Sequence, residues 1–176
     1  MLKRKGKLNT IYLSAALQKQ LQDIAGYPLT TVVTPMAYGK TTAINWFLDK
    51  CAKKPGTKVL RISVYSDALA IFWQSVQQAF AHAGLDFLQG YACPQSIAGA
   101  SLLVDDLCRA LAGPNEFYIF VDDFHLLNSP AVSGLFCTMA MRLPANAHLI
   151  VASRDRLLTE QDRIRLGHRL YQFTPQ

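Results

Sequence analysis

Five short apolar runs punctuate the chain, and the stretches between them place their apolar residues at helical spacing. The runs are Thr30 to Thr34, Lys58 to Val64, Phe117 to Val121, His148 to Ala152 and Leu170 to Phe173. Each has strand length, and Phe117-Tyr-Ile-Phe-Val121 and, after His148, Leu149-Ile-Val-Ala152 are apolar throughout. Continuous apolar runs fit parallel strands buried on both faces. Ser14 predicts an N-cap for a helix carrying Leu17, Leu21 and Ile24 and ending near Gly26. Further helices are predicted over Lys40 to Ala52, from a Ser66 cap to Gly84, from Ser96 to Ala112, from Ser129-Pro130 to Arg142, and over Gln161 to Gly167. Lys53-Lys54-Pro55-Gly56 reads as a turn and Gly90 to Gln95 as irregular chain. Phe72, Trp73, Val76 and Phe80 form a stripe that belongs to the core. The alternation of strand and helix predicts a three-layer α/β/α fold on a mostly parallel sheet of about five strands.

At 176 residues, with 51% apolar and 17% charged side chains, the chain suffices for one domain with a sizeable core. The expected organisation is a basic arm and helix over residues 1–27, followed by a core over 28–176. No apolar run approaches the roughly 18 residues of a membrane span, so no membrane association is expected. Cys51, Cys93, Cys108 and Cys137 have neither paired spacing nor a nearby metal pattern. They read as free thiols in a reducing, cytoplasmic compartment. The formal net charge of +6 lies largely at the two ends, on Lys3, Arg4, Lys5 and Lys7 and then on Arg154, Arg156, Arg163, Arg165 and Arg169. End-loaded charge reads as a solvated or inter-domain face rather than a nucleic-acid surface.

The candidate chemistry begins at Thr34-Pro35-Met36-Ala37-Tyr38-Gly39-Lys40-Thr41-Thr42, placed between a strand and a helix. Backbone N–H groups of such a loop, together with a helix N-terminus, bind phosphate. Lys40 would reach the β- and γ-phosphates, and the Thr41 hydroxyl would sit on Mg²⁺. The P-loop pattern is incomplete, because Thr34 stands where its first Gly belongs. Two further features fall at the ends of later strands. Asp122-Asp123 follows Phe117 to Val121, with Asp122 as a Mg²⁺ holder and Asp123 orienting the attacking water. Ser153-Arg154 follows His148 to Ala152, a polar pair able to reach the γ-phosphate, with Arg154 reporting its presence. In open parallel sheets ligands bind at that edge. The candidate catalytic set is therefore Lys40, Asp123 and Arg154. His125, two residues past Asp123, is read as packing on the helix that follows, with a contact to nucleotide or to a neighbouring subunit as the alternative. His82, His148 and His168 show no partner pattern. No Ser-His-Asp arrangement and no second Gly-rich loop is present.

Three stretches carry a family resemblance: Thr34 to Thr42, Val121-Asp-Asp-Phe-His-Leu-Leu127, and Leu143-Pro-Ala-Asn-Ala-His-Leu-Ile-Val-Ala-Ser-Arg154. Over residues 8–176 the chain resembles the ATPase domain of large LuxR-type, maltose-regulator-like transcriptional activators of the STAND class. The loop in that family usually reads Ser-Pro-Ala-Gly-Tyr-Gly-Lys-Thr-Thr, so Met36 and Ala37 depart from it and stiffen the loop. The resemblance implies an ATP/ADP regulatory switch using Mg²⁺, slow or inactive in hydrolysis on its own, that self-associates when ATP-bound. It also implies sensor and helix-turn-helix segments beyond Gln176, which would carry DNA binding for the intact protein. Two alternatives stand beside it: a small P-loop kinase or working ATPase, with Arg163, Arg165 and Arg169 as a lid, and a degenerate scaffold without nucleotide.

Overall fold

The computed structural model describes residues 13–33 and 40–173. Five strands, β1 (Leu29–Val33), β2 (Thr57–Ser63), β3 (Glu116–Asp122), β4 (Ala147–Ser153) and β5 (Leu170–Phe173), pair in the order β2-β3-β4-β1-β5. Every pairing is parallel. Among the described residues six α-helices connect or flank them: α1 (Ala15–Gln22), α2 (Lys40–Ala52), α3 (Leu69–His82), α4 (Ile97–Leu111), α5 (Pro130–Arg142) and α6 (Glu160–Leu166).

The strand order decides which face each helix covers. From β1 the chain runs outward past β4 and β3 to the β2 edge, then steps back through β3 and β4 and over β1 to β5. Parallel crossovers are right-handed. A connection in one direction and connections in the other must therefore lie on opposite faces. Alternate side chains of the strands match this split. Phe117, Ile119, Val121, Leu149 and Val151 join a core with α3, α4 and α5, whereas Tyr118, Phe120, Ile150, Ala152 and Val32 join a second core with α1 and α2. β4 is buried at every position. The reversal of direction falls between β1 and β4, and a crevice opens at the carboxyl ends of strands at such a switch point.

Local signals set most element ends. The hydroxyls of Ser14, Ser96 and Ser129 each accept a backbone N–H three residues on, from Leu17, Gly99 and Val132. Pro130 occupies the first turn of α5, where its missing N–H costs no hydrogen bond. Two ends differ from expectation. Ser66 does not cap α3; its hydroxyl accepts from Ala68 N at 3.2 Å and closes a tight turn, so α3 starts only at Leu69. The last helix begins at Glu160, because Thr159 and Asp162 form a reciprocal capping box. No helix among the described residues is long and apolar enough to cross a membrane.

Candidate functional site

The carboxyl ends of β3, β4 and β1 lie side by side, with Val121 opposite Val151 and Ser153 opposite Val33. Helix α2 starts at Lys40, and residues 34–39 bridge β1 to it. Thr34, Pro35, Met36, Ala37, Tyr38 and Gly39 themselves lie outside the described residues. The elements on either side of them are a largely buried strand and a helix of 13 residues, whose N-terminus carries partial positive charge.

Asp122 shares a sheet face with Tyr118 and Phe120, which is the face that α2 covers. Its carboxylate accepts the Thr41 hydroxyl at 3.1 Å to Oδ2 and 3.4 Å to Oδ1. The Asp123 backbone N–H donates to Asp122 Oδ1 at 2.9 Å. Two residues 81 apart in sequence are thus brought to hydrogen-bond distance at the mouth of α2. Their donor set is a hydroxyl and a carboxylate, both hard oxygens at a half-buried position. Mg²⁺ takes one or two such protein oxygens and completes its octahedron with water and phosphate, so these residues fit the ion. Thr42, like Thr41, is half-buried in the first turn of α2.

Asp123 adopts the left-handed conformation, φ 58° and ψ 37°. Few residues other than glycine do so, and Asp is among those that tolerate it. The turn leads into a single 3-10 turn, Phe124–Leu126, anchored by buried Phe124 against Phe136 of α5 (ring centroids 5.1 Å apart). That turn carries His125 toward β4. His125 Nδ1 lies 3.2 Å from Arg154 N and accepts its N–H. The imidazole thus ties the exit of β3 to the exit of β4.

Ser153 and Arg154 part company at the end of β4. Ser153 is buried, follows Leu149 and Val151 onto the α5 face, and accepts the Asp155 N–H on its hydroxyl at 3.3 Å. There it lines a polar cleft of about 530 Å³ with His125, Asn128, Asp155 and Asp162. The Arg154 side chain is exposed at the sheet edge. Two of the other carboxyl-terminal arginines have structural partners, whereas the buried Arg163 Nε has no hydrogen-bond partner among the described residues. Arg169 Nε donates to Ala140 O at 2.6 Å, at the carboxyl end of α5, and Arg165 lies 3.6 Å from Asp162 on α6.

Burial pushes the thiols of Cys51, Cys93 and Cys108 up, and that of Cys137 to about 11. A protonated thiol attacks poorly at neutral pH. His148, for which the sequence showed no partner, is buried at the opposite end of β4. Its Nδ1 lies 2.9 Å from Tyr27 O, its Nε2 3.0 Å from Glu116, and its ring stacks on Tyr118. It is a structural residue at the amino edge of the sheet, far from the crevice.

No family model matches the chain, and no curated protein matches it in sequence. Solved structures do match. A signal transduction ATPase with numerous domains and a tetratricopeptide repeat sensor from Pyrococcus horikoshii aligns over 94% of this chain, with TM-score 0.60 and 14% identity. Cdc6p from Pyrobaculum aerophilum aligns over 93%, with TM-score 0.58 and 15% identity. The Aeropyrum pernix ORC2 protein, solved as ADPNP and ADP complexes, aligns over 91%, with TM-score 0.50 and 16% identity. The chain spans 23%, 47% and 46% of those three chains. At such identities the likeness speaks for architecture alone, and the architecture of this chain is that of the P-loop ATPases.

Proposed function

We propose that this chain is the nucleotide-binding core of a regulatory ATPase switch, taking ATP or ADP with Mg²⁺. The observation that carries the reading is the Thr41–Asp122 pair, closed at 3.1 Å over the N-terminus of α2. Lys40, at the first position of α2, would hold the β- and γ-phosphates as a point charge. The N–H groups of residues 34–39 and the positive end of α2 would cradle them. Thr41 and Asp122 would hold the ion, which would supply positive charge against the phosphates. Asp123 would orient water beside the γ-phosphate, and Arg154 would answer to the presence of that phosphate. Asp is a shorter carboxylate than Glu and stands here in a left-handed turn, so hydrolysis by this core alone is slow.

The finer assignment rests on the sequence resemblance, with the STAND ATPase neighbour in support. In that reading the chain is the switch domain of a cytoplasmic LuxR-type transcriptional regulator. Its ATP-bound form self-associates, and DNA binding belongs to a different segment. The ADPNP and ADP complexes of the ORC2 neighbour support a nucleoside phosphate as ligand.

Titration calorimetry with Mg-ATP and Mg-ADP tests the proposal on the chain itself, Lys40→Ala and Asp122→Asn. The chain is expected to bind, and Lys40→Ala to lose binding. Asp122→Asn should lose about tenfold or more in the presence of Mg²⁺ and little in EDTA, the scale of one charge-assisted bond. An Asp122→Asn chain that binds Mg-ATP as tightly as wild type would remove the carboxylate from the site.

A further inference from the structure

We propose that His125 is a positioning residue for Arg154, and that it sets the preference of this site between triphosphate and diphosphate. The inference rests on the nucleotide reading above. Three structural facts lead to it. First, β3 and β4 are neighbours in the sheet; β3 ends in Asp122 and β4 is followed at once by Arg154, both residues of the candidate site. Second, beyond those ends one side-chain bond spans the two exits, from Arg154 N to His125 Nδ1 at 3.2 Å, across 29 residues of sequence. Third, His125 is not free to drift. The left-handed Asp123 aims the 3-10 turn at β4, and buried Phe124 pins that turn to Phe136.

The chemistry of the bond fixes the imidazole. A backbone N–H donates, so Nδ1 must offer its lone pair, and the ring proton sits on Nε2. The bond holds the Arg154 backbone at a point where β4 pairing has ended. Arg154 is exposed, and its side chain has several rotatable bonds. A fixed backbone shortens the search that its guanidinium makes for a γ-phosphate. The diphosphate lacks that oxygen cluster and gains nothing from the constraint. His125 should therefore bear on the ratio of the two affinities and leave ADP binding alone. Its other side lines the 530 Å³ cleft beside Asp155 and Asp162, so a change at the phosphate end would reach that cleft through one side chain.

Two readouts on the 176-residue chain test this, with His125→Ala, His125→Asn and His125→Gln. An Asn oxygen can stand where Nδ1 stands; a Gln oxygen reaches the position of Nε2 instead. The first readout is the Arg154 amide signal in nitrogen–proton correlation spectra without nucleotide. It should move upfield and exchange faster in His125→Ala and His125→Gln, and return in His125→Asn. The second is the ratio of Mg-ATP to Mg-ADP affinity by calorimetry. It should fall about fivefold in His125→Ala, the worth of one neutral hydrogen bond, and recover in His125→Asn, with ADP affinity unchanged throughout. A ratio unchanged in His125→Ala, on a wild-type chain that binds both nucleotides, overturns the positioning role alone. Equal loss of both affinities overturns it too, because it marks His125 as structural. A wild-type chain that binds neither nucleotide overturns the nucleotide reading and this inference with it.

Discussion

Thr30→Val should stabilise the protein. Thr30 lies in β1, fully buried, opposite Ile150 on one side and Tyr171 on the other. Strand alternation puts it with Val32 on the face packed by α1 and α2, among Leu21, Ile24 and Ile44. Its hydroxyl oxygen is buried and has no hydrogen-bond partner. Burying a hydroxyl without a partner costs about 1–3 kcal/mol by protein mutational experience. Val keeps the shape and the branching at Cβ, so rotamer and strand preferences nearly cancel. The expected gain is about 1 kcal/mol, which raises the melting temperature of a chain this size by about 2–4 °C. Urea titration should show a higher midpoint with an unchanged slope. Thr30→Ser supplies the control: it keeps the hydroxyl, loses a methyl, and should cost about 1 kcal/mol. A Val variant that is neutral or less stable would show that the hydroxyl is bonded in solution, and the argument from an unpaired group would fall.

Thr159→Ala removes one half of the α6 capping box and should cost about 1 kcal/mol in urea titration, with Thr159→Ser losing far less. Phe136→Ala takes away a buried ring that packs on Phe124 and should cost about 3–5 kcal/mol. Because it also loosens the turn carrying His125, the Arg154 amide should exchange faster in that variant. Burial raises the Cys137 thiol to about 11, with Asp162 adding to the rise and Arg165 opposing it. The folded state thus holds that proton more tightly than the unfolded chain. Stability from this group is intact below about pH 9 and is lost as pH rises toward about 11. Cys137→Ala should flatten that alkaline decline in thermal melts.

The sequence made the layers legible because strand and helix each leave a period. The apolar run Phe117 to Val121 announced a strand buried on both faces, and β3 is that strand. Ser96 and Ser129-Pro130 marked helix starts where the caps are found, and the strand-then-helix frame around residues 34–39 is present. The pairing of Thr41 with Asp122 was legible only as two halves of one chemistry. Nothing in a linear pattern states that β4 lies between their strands. Ser66 misled because a serine hydroxyl serves a tight turn as readily as a helix cap, and both sit before an apolar stripe. His125 and His148 were illegible for a different reason. Their partners, Arg154 N and then Tyr27 O and Glu116, lie 29 to 121 residues away, in or next to strands whose adjacency is set by the whole sheet.

Strand order also dictates when the site can exist during synthesis. β1 pairs only with β4 and β5 among the described strands, and these are the last two made. A ribosome that has already delivered β1 and α2 must add everything up to Ala147 before β1 meets a partner strand. Through that interval the strand that leads into residues 34–39 is an unpaired edge, open to the wrong neighbour. A nascent chain stopped before β4 would carry Thr41 and Asp122 and still lack the strand that lies between theirs in the sheet. Trigger-type chaperones, or any holdase that shields apolar edges, should accordingly matter most for this protein in the window between the emergence of β1 and that of β4.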